Sequence, residues 1–157
     1  MLTESMEDYL ETIHRLATAR GLVRAVDVSG AMGIQASSVT RMIQRLDRMG
    51  FLHYEKYRNI GLTPRGAAYG RFLVWRDETL EQFLRLLSAG IGIKDQVEGI
   101  EHYITPVTMG LIRNLIRYFA AHPAALAEIE ELKREKAYPD GESLAELRAW
   151  SFRHNMQ

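Results

Sequence analysis

Residues 26–49 read VDVSGAMGIQASSVTRMIQRLDRM, and this stretch decides the fold. Apolar residues recur at helical spacing over residues 26–32 and again over residues 37–49. Residues 33–36, which include a glycine, interrupt the pattern between them. The stretch therefore predicts two short helices joined by a tight turn.

Three side chains inside this stretch have the spacing of a helix-turn-helix. Ser29 is small enough to let the two helices approach, and Gly33 permits a tight turn. Val39 is branched and apolar, and would anchor the second helix from the inside. The spacing predicts a helix-turn-helix motif, and an ordinary helical hairpin is the alternative.

The second helix of the motif has an apolar face and a polar face. Val39, Met42, Ile43 and Leu46 share the apolar face, while hydroxyl, amide and guanidinium groups occupy the other. Such groups bind bases and phosphates, and arginine binds guanine or a phosphate with two N–H groups. The predicted DNA-binding residues on this helix are Gln35, Ser37, Ser38, Thr40, Arg41, Gln44 and Arg45.

A predicted β-hairpin follows, with strands over residues 51–57 and 60–63. It would form a wing whose basic tip, from Lys56 and Arg58, contacts the DNA backbone or minor groove. Thr63 and Pro64 then predict the start of a long helix that runs to about residue 87.

Charge is distributed unevenly along the chain. The whole chain is neutral, but residues 37–71 hold seven Lys or Arg against two carboxylates, so this segment carries +5 and the remainder −5. A basic segment of this kind is typical of a nucleic-acid surface.

Five carboxylates and one histidine stand in three separated stretches. Spacings of three or four residues place the members of each group on one helix face. Carboxylates gathered without basic partners repel one another, and a divalent cation commonly explains such a cluster. The alternative is a solvated helix face. The predicted metal ligands are Asp8, Glu11, Asp77, Glu98, Glu101 and His102.

Further helices are predicted over residues 93–104, 107–121, 124–138 and 143–154, with a turn at residues 139–141. The helix over 107–121 would use one apolar face as core and as the contact between two copies of the chain. That face comprises Met109, Ile112, Leu115, Ile116 and Phe119.

The predicted fold class is mostly α, with two domains. Residues 1–70 form a winged helix-turn-helix DNA-binding domain and residues 71–157 a helical dimerisation and metal-binding domain, joined by the helix over about 64–87. The chain has no cysteine, which removes thiolate ligands and thiol catalysis. Without an apolar run long enough to span a membrane or a basic leader segment, we expect a cytoplasmic protein.

Five short motifs stand out along the chain: Ser5-Met6-Glu7-Asp8-Tyr9, Ser37-Ser38-Val39-Thr40, Tyr54-Glu55-Lys56-Tyr57-Arg58, Leu80-Glu81-Gln82-Phe83-Leu84 and Val97-Glu98-Gly99-Ile100-Glu101-His102. Together they resemble the diphtheria toxin repressor family of metal-activated bacterial repressors. The resemblance covers residues 3 to 120 approximately, without the third, barrel-like domain of the larger members.

The resemblance implies that the ligand set binds two Mn²⁺ ions, with Glu11 and Glu98 as bridges. Iron-responsive members carry sulfur at the positions of Asp8 and Glu98, so oxygen there indicates manganese. Asp77 departs from the family pattern, which has histidine at this position. Either Asp77 still binds metal, or one ion is weakened or lost and Glu81 assists.

The implied function is repression of manganese-uptake genes by a homodimer on a palindromic operator in double-stranded DNA, with no membrane partner. The metal would tie the DNA-binding half to the dimerising half and set the distance between the two recognition helices, about 34 Å. One alternative is a winged-helix regulator that senses another divalent metal or a small ligand. A di-metal carboxylate enzyme is another, although it would need a Glu-x-x-His motif on each of two helices.

Overall fold

The computed structural model describes residues 2–55, 59–87 and 92–135. The chain divides into two compact units, Met1–Arg76 and Asp77–Gln157. This division lies six residues beyond the boundary predicted at residue 70, within one long helix. Among the described helices, none is both long and apolar enough to span a bilayer.

The first unit contains the predicted winged helix-turn-helix. Three helices precede a two-stranded antiparallel sheet, and the long helix α4 begins in this unit. The elements are α1 (Glu4–Arg20), α2 (Ala25–Met32), α3 (Ala36–Arg48), β1 (Leu52–Tyr54), β2 (Ile60–Leu62) and α4 (Pro64–Leu86).

The turn between α2 and α3 confirms the helix-turn-helix prediction. Gly33 ends α2 in the left-handed conformation, at φ 66° and ψ 25°, which glycine adopts without steric cost. Val39 is fully buried, as its branched side chain predicted. Ser29 does more than leave room, since its hydroxyl donates to the carbonyl oxygen of Ile34 at 2.6 Å. The serine therefore also holds the turn closed.

One apolar core binds the elements of the first unit together. It takes side chains from α1, α2, α3, both strands and the first part of α4. The buried members are Met6, Tyr9, Leu10, Ile13, Val23, Val28, Val39, Ile43, Leu46, Phe51, Leu52, Ile60 and Leu73.

Two glycines let α4 approach its neighbours closely. A Cβ on Gly66 would lie 1.9 Å from the carbonyl oxygen of Phe51, and one on Gly70 would lie 2.7 Å from the Cβ of His14. The packed His14 has a buried Nδ1 that makes no hydrogen bond within the described part of the chain. Burial, helped by the nearby Arg71 and Arg15, lowers the pKa of His14.

The hairpin is shorter than predicted, with three paired residues in each strand. Leu52 pairs with Leu62 and Tyr54 with Ile60. At its base, the Thr63 hydroxyl donates to the carbonyl oxygen of Gly50 at 2.8 Å and accepts the backbone N–H of Gly66 at 3.0 Å. Thr63 thus caps α4, as predicted, and also holds the hairpin. The predicted tip, residues 56–58, lies outside the described residues.

The second unit includes the end of α4, then α5 (Ile93–Ile100), a 3-10 helix (Glu101–Tyr103), α6 (Pro106–Ala121) and α7 (Pro123–Glu135). The single helix predicted over residues 93–104 is therefore divided. Thr105 precedes a proline and is extended, at φ −74° and ψ 155°, as pre-proline residues usually are. The chain tightens into a 3-10 turn before it. The turn predicted at 139–141 and the helix at 143–154 lie outside the described residues.

Candidate nucleic-acid interface and metal centre

The polar face predicted for α3 is exposed in the structure. Val39, Ile43 and Leu46 are fully buried on the opposite side, so the groups that the helix presents to solvent are polar apart from Ala36. Thr40 is half-buried, and its hydroxyl donates to the carbonyl oxygen of Ala36 at 2.9 Å. The exposed residues are Gln35, Ser37, Ser38, Arg41, Gln44, Arg45 and Arg48.

Three further basic side chains of the segment over residues 37–71, Lys56, Arg58 and Arg65, are relevant to DNA binding or to folding. Lys56 and Arg58, the predicted wing contacts, lie outside the described residues. Arg65 has a structural role that the sequence did not reveal. It donates to the carbonyl oxygen of Met49 at 3.2 Å, and its guanidinium lies 4.3 Å from the centre of the Phe51 ring. Arg65 thus packs the start of α4 against the loop after α3.

Asp8 and Glu11 lie on α1, three residues apart, and both are half-buried. Arg15, one turn further along α1, donates to the Glu11 carboxylate at 2.8 Å. The prediction assumed that these carboxylates have no basic partner, and this is wrong for Glu11. Residues three or four apart on a helix face each other, whether both are acidic or one is an arginine. Glu81, proposed as an assisting ligand, likewise pairs with Arg85.

A buried polar network stands beside these α1 carboxylates. Both oxygens of Glu7 are bonded, one to the Tyr69 hydroxyl and one to the Arg76 guanidinium, each at 2.9 Å. Burial and the hydrogen bond to Glu7 raise the pKa of Tyr69, so the phenol remains protonated. Sequence reasoning missed this network because Tyr69 and Arg76 lie 62 and 69 residues from Glu7 along the chain. An acidic Glu7 at a core-adjacent helix position was the available signal.

In the second unit, the structure brings Glu101 and His102 together. Glu101 Oε1 lies 3.9 Å from His102 Nε2, and the two side chains are 4% and 8% exposed. Glu98, on α5, is exposed, while Asp77, on α4, is half-buried. Glu98 and Glu101 do not lie on one continuous α-helix as predicted, because α5 ends at Ile100 and a 3-10 turn begins at Glu101.

These buried groups fit a divalent metal by their chemistry. A carboxylate and an imidazole offer oxygen and nitrogen ligand atoms, which divalent transition metals accept. The donors are those of a divalent transition metal, with no thiolate available anywhere in the sequence.

Residues 1–60 match the family described as iron dependent repressor, N-terminal DNA binding domain. The HTH-type transcriptional regulator MntR of Bacillus pumilus is 39% identical over 144 residues, which cover 91% of this chain and 100% of that protein. The regulator of the same name from Geobacillus kaustophilus is 42% identical over 135 residues, which cover 85% of this chain and 96% of that protein.

Two solved structures share the fold. The manganese regulator SloR superposes with a TM-score of 0.64 at 22% identity, over 74% of this chain. IdeR of T. acidophilum superposes with a TM-score of 0.60 at 26% identity, over 76% of this chain. The chain spans 55% of the length of each of these two proteins.

Near-complete coverage at 39% and 42% identity decides the relationship. The predicted winged helix-turn-helix is present, and its exposed face is the polar one. The chain belongs to the MntR family of HTH-type transcriptional regulators, and it is a metal-responsive DNA-binding repressor, not an enzyme.

Proposed function

We propose that this repressor is activated by Mn²⁺, that it binds a palindromic operator as a homodimer, and that it controls manganese uptake. The observation that carries the metal proposal is the buried pair of Glu101 and His102, with ligand atoms 3.9 Å apart. The printed names of its relatives, MntR and the manganese regulator SloR, support the same metal. Because its target would be the bacterial chromosome, the proposal requires a cytoplasmic protein.

The proposed ligand set is rich in oxygen. Carboxylates suit Mn²⁺, whereas nitrogen ligation favours metals later in the affinity series such as Co²⁺ and Zn²⁺. We expect two ions per chain, or one if Asp77 no longer supports the second. The proposed ligands are Asp8, Glu11, Asp77, Glu98, Glu101 and His102.

The ligands come from both units of the chain. Asp8 and Glu11 belong to the first unit, and the other four belong to the second. A bound ion would supply the positive charge that offsets their mutual repulsion. Glu11 has a cationic partner already, so it must share or release the Arg15 guanidinium when it binds metal. Metal would thereby stabilise one arrangement of the DNA-binding unit.

The dimer proposal is supported by an exposed apolar face on α6. Of the five residues predicted to serve both core and dimer, Met109, Ile112 and Ile116 are buried within the chain, whereas Leu115 is exposed. A different side of the helix remains open, and spacings of four, four and three residues align its members. They are Val107, Leu111, Leu115 and Tyr118.

The DNA proposal places α3 in the major groove. Arg41, Gln44 and Arg45 are exposed where base edges and phosphates would lie. Two copies of α3 in a dimer would read half-sites about 34 Å apart, which is why we propose a palindromic operator. We propose Lys56 and Arg58 as phosphate contacts from the wing.

A titration of the metal-free chain with MnCl₂, CoCl₂ and anaerobic FeCl₂ tests the metal proposal. Glu101→Gln keeps the side-chain size and removes the charge, and should weaken Mn²⁺ binding by about 10-fold or more. Glu128→Gln, on the exposed surface of α7, is the matched control and should leave binding unchanged. Equal Mn²⁺ binding by both variants would reject Glu101 as a ligand. A preference for Fe²⁺ would favour a repressor that responds to iron.

The metal dependence of DNA binding is tested separately, with duplexes selected from a random library in MnCl₂. We expect binding to be lost in EDTA at the same ionic strength. Equal binding in both solutions would contradict metal activation while leaving the family assignment intact.

A further inference from the structure

Asp47 is the one acidic residue of α3, where it stands among Arg41, Arg45 and Arg48. A carboxylate on a DNA-reading helix repels the phosphate backbone, so by charge alone it weakens binding. Asp47 is half-buried, whereas the three arginines are exposed. We therefore looked to its hydrogen bonds for a structural role.

The Asp47 carboxylate bonds to the first strand of the wing. Its Oδ1 accepts the backbone N–H of Tyr54 at 3.1 Å. The backbone N–H of Thr63 donates to the carbonyl oxygen of Phe51, so Phe51 and Thr63 form a hydrogen-bonded pair. Along an antiparallel ladder, such pairs alternate with pairs that share no hydrogen bond. The pair of Tyr54 with Ile60 is consequently one whose N–H groups point away from the partner strand. Asp47 satisfies one of these outward groups.

The second outward group is bonded on the other edge of the hairpin. The N–H of Ile60 donates to the carbonyl oxygen of Val23 at 2.7 Å. Asp47 on α3 and Val23 in the segment before α2 therefore hold the two strands at the same register position. The bond between Ile60 and Val23 joins two backbone groups, so a side-chain substitution does not remove it. The bond to Tyr54 depends on the Asp47 side chain.

We infer that Asp47 is a positioning residue for DNA binding. By holding the N–H of Tyr54, it fixes the last residue of β1 to the recognition helix, two positions before Lys56. Wing and recognition helix then reach the same duplex in a fixed relation. The inference rests on DNA binding by the first unit and is independent of the metal proposal.

Two substitutions separate the positional effect of Asp47 from its charge. Asp47→Asn removes the charge and keeps an oxygen acceptor for Tyr54. Asp47→Ala removes both. If charge alone mattered, the two variants would bind DNA with equal, increased affinity. The inference instead expects Asp47→Asn to bind at least as tightly as the unaltered chain and Asp47→Ala to bind about 5- to 10-fold more weakly than Asp47→Asn.

The measurement uses a mixed-sequence duplex of about 30 base pairs, or three helical turns, over a series of salt concentrations. The slope of log K against log salt should be shallower by about one in Asp47→Ala, since each lost phosphate contact reduces it by about 0.9. Amide hydrogen exchange of Tyr54 should accelerate in Asp47→Ala and remain slow in Asp47→Asn. This measurement reports the bond between Asp47 and Tyr54 in the absence of DNA.

Asp95→Ala is the control for net charge, because it removes an exposed carboxylate from α5 in the second unit. It should alter neither the Tyr54 exchange rate nor the salt slope. Thermal unfolding of each variant shows whether Asp47→Ala remains folded. Equal DNA affinity and slope in Asp47→Ala and Asp47→Asn would overturn the inference, as would unchanged Tyr54 exchange in Asp47→Ala.

Discussion

The two units of the chain differ in how completely they bury their apolar side chains. Among the described residues, thirteen buried hydrophobic side chains belong to the first unit and five to the second. Exposed large hydrophobic side chains show the reverse, with two in the first unit and eight in the second. The first unit therefore buries most of its large apolar side chains within the chain itself. The second unit leaves more of them exposed, as surfaces that bind a partner do.

The largest expected effect tests how tightly the first unit is packed. Gly66→Ala would place a Cβ 1.9 Å from the carbonyl oxygen of Phe51. Backbone cannot yield there without moving the hairpin, so we expect a loss of about 4 kcal/mol or more in the free energy of unfolding. Gly30→Ala is the control, because its Cβ would meet nothing within 4 Å. It should stabilise α2 by about 0.5 to 1 kcal/mol. Similar urea-unfolding curves for both variants would contradict the close approach.

Burial should also decide the strength of two ion pairs to α1. Arg76 binds Glu7 at 2.9 Å and Arg15 binds Glu11 at 2.8 Å, but the arginine side chains are 5% and 40% exposed. Arg76→Gln should cost about 3 kcal/mol, since a buried partner loses its charge complement. Arg15→Gln should cost less than about 1 kcal/mol. Chemical unfolding in EDTA measures both, and equal costs would show that burial does not control these pairs.

The exposed apolar face of α6 provides a test of the second unit. Leu111→Glu should raise the dissociation constant of the proposed dimer by about 100-fold or more, because a two-fold interface contains the residue twice and each buried leucine contributes roughly 1.5 to 3 kcal/mol. Ala120→Glu places the same group on an exposed position elsewhere on α6 and should have little effect. Analytical ultracentrifugation distinguishes them. An unchanged dissociation constant in Leu111→Glu would show that the dimer does not form through this face of α6.

The smallest effect concerns pH and His14. Its pKa in the folded chain is lowered from 6.5, first by burial and then by Arg71 and Arg15. The unfolded chain therefore takes up a proton at higher pH than the folded chain, so stability falls as pH drops below about 6.5 toward the folded pKa. Unfolding at about pH 7.5 and about pH 5.5 should show a smaller loss in His14→Gln than in the unaltered protein. An identical loss in both would assign the pH dependence to other groups.

Sequence reasoning succeeded where structure is decided by neighbouring residues. Ser29, Gly33 and Val39 predicted the helix-turn-helix, because helical spacing and one left-handed turn are local properties. The hairpin and the start of α4 followed from β-rich segments and from Pro64. Their exact ends were less predictable, because pairing depends on contacts across the unit.

The errors arose where distant contacts compete with local patterns. Nothing near Glu7 in the sequence indicates Tyr69 or Arg76 as its partners. The two faces of α6 are both apolar, so periodicity could not show which of them the chain itself buries. The predicted ligands remain a proposal for the same reason, since spacing groups Asp8 with Glu11 but cannot show which residues from a distant segment complete a site.

Thr63 has a consequence for the order in which the first unit opens. Its hydroxyl bonds to Gly50 on one side and to the N–H of Gly66 on the other. The base of the wing and the first turn of α4 therefore share one atom, and neither can lose its bond there without disturbing the other. These two elements should open as one cooperative unit in native-state hydrogen exchange, although one is a strand pair and the other a helix.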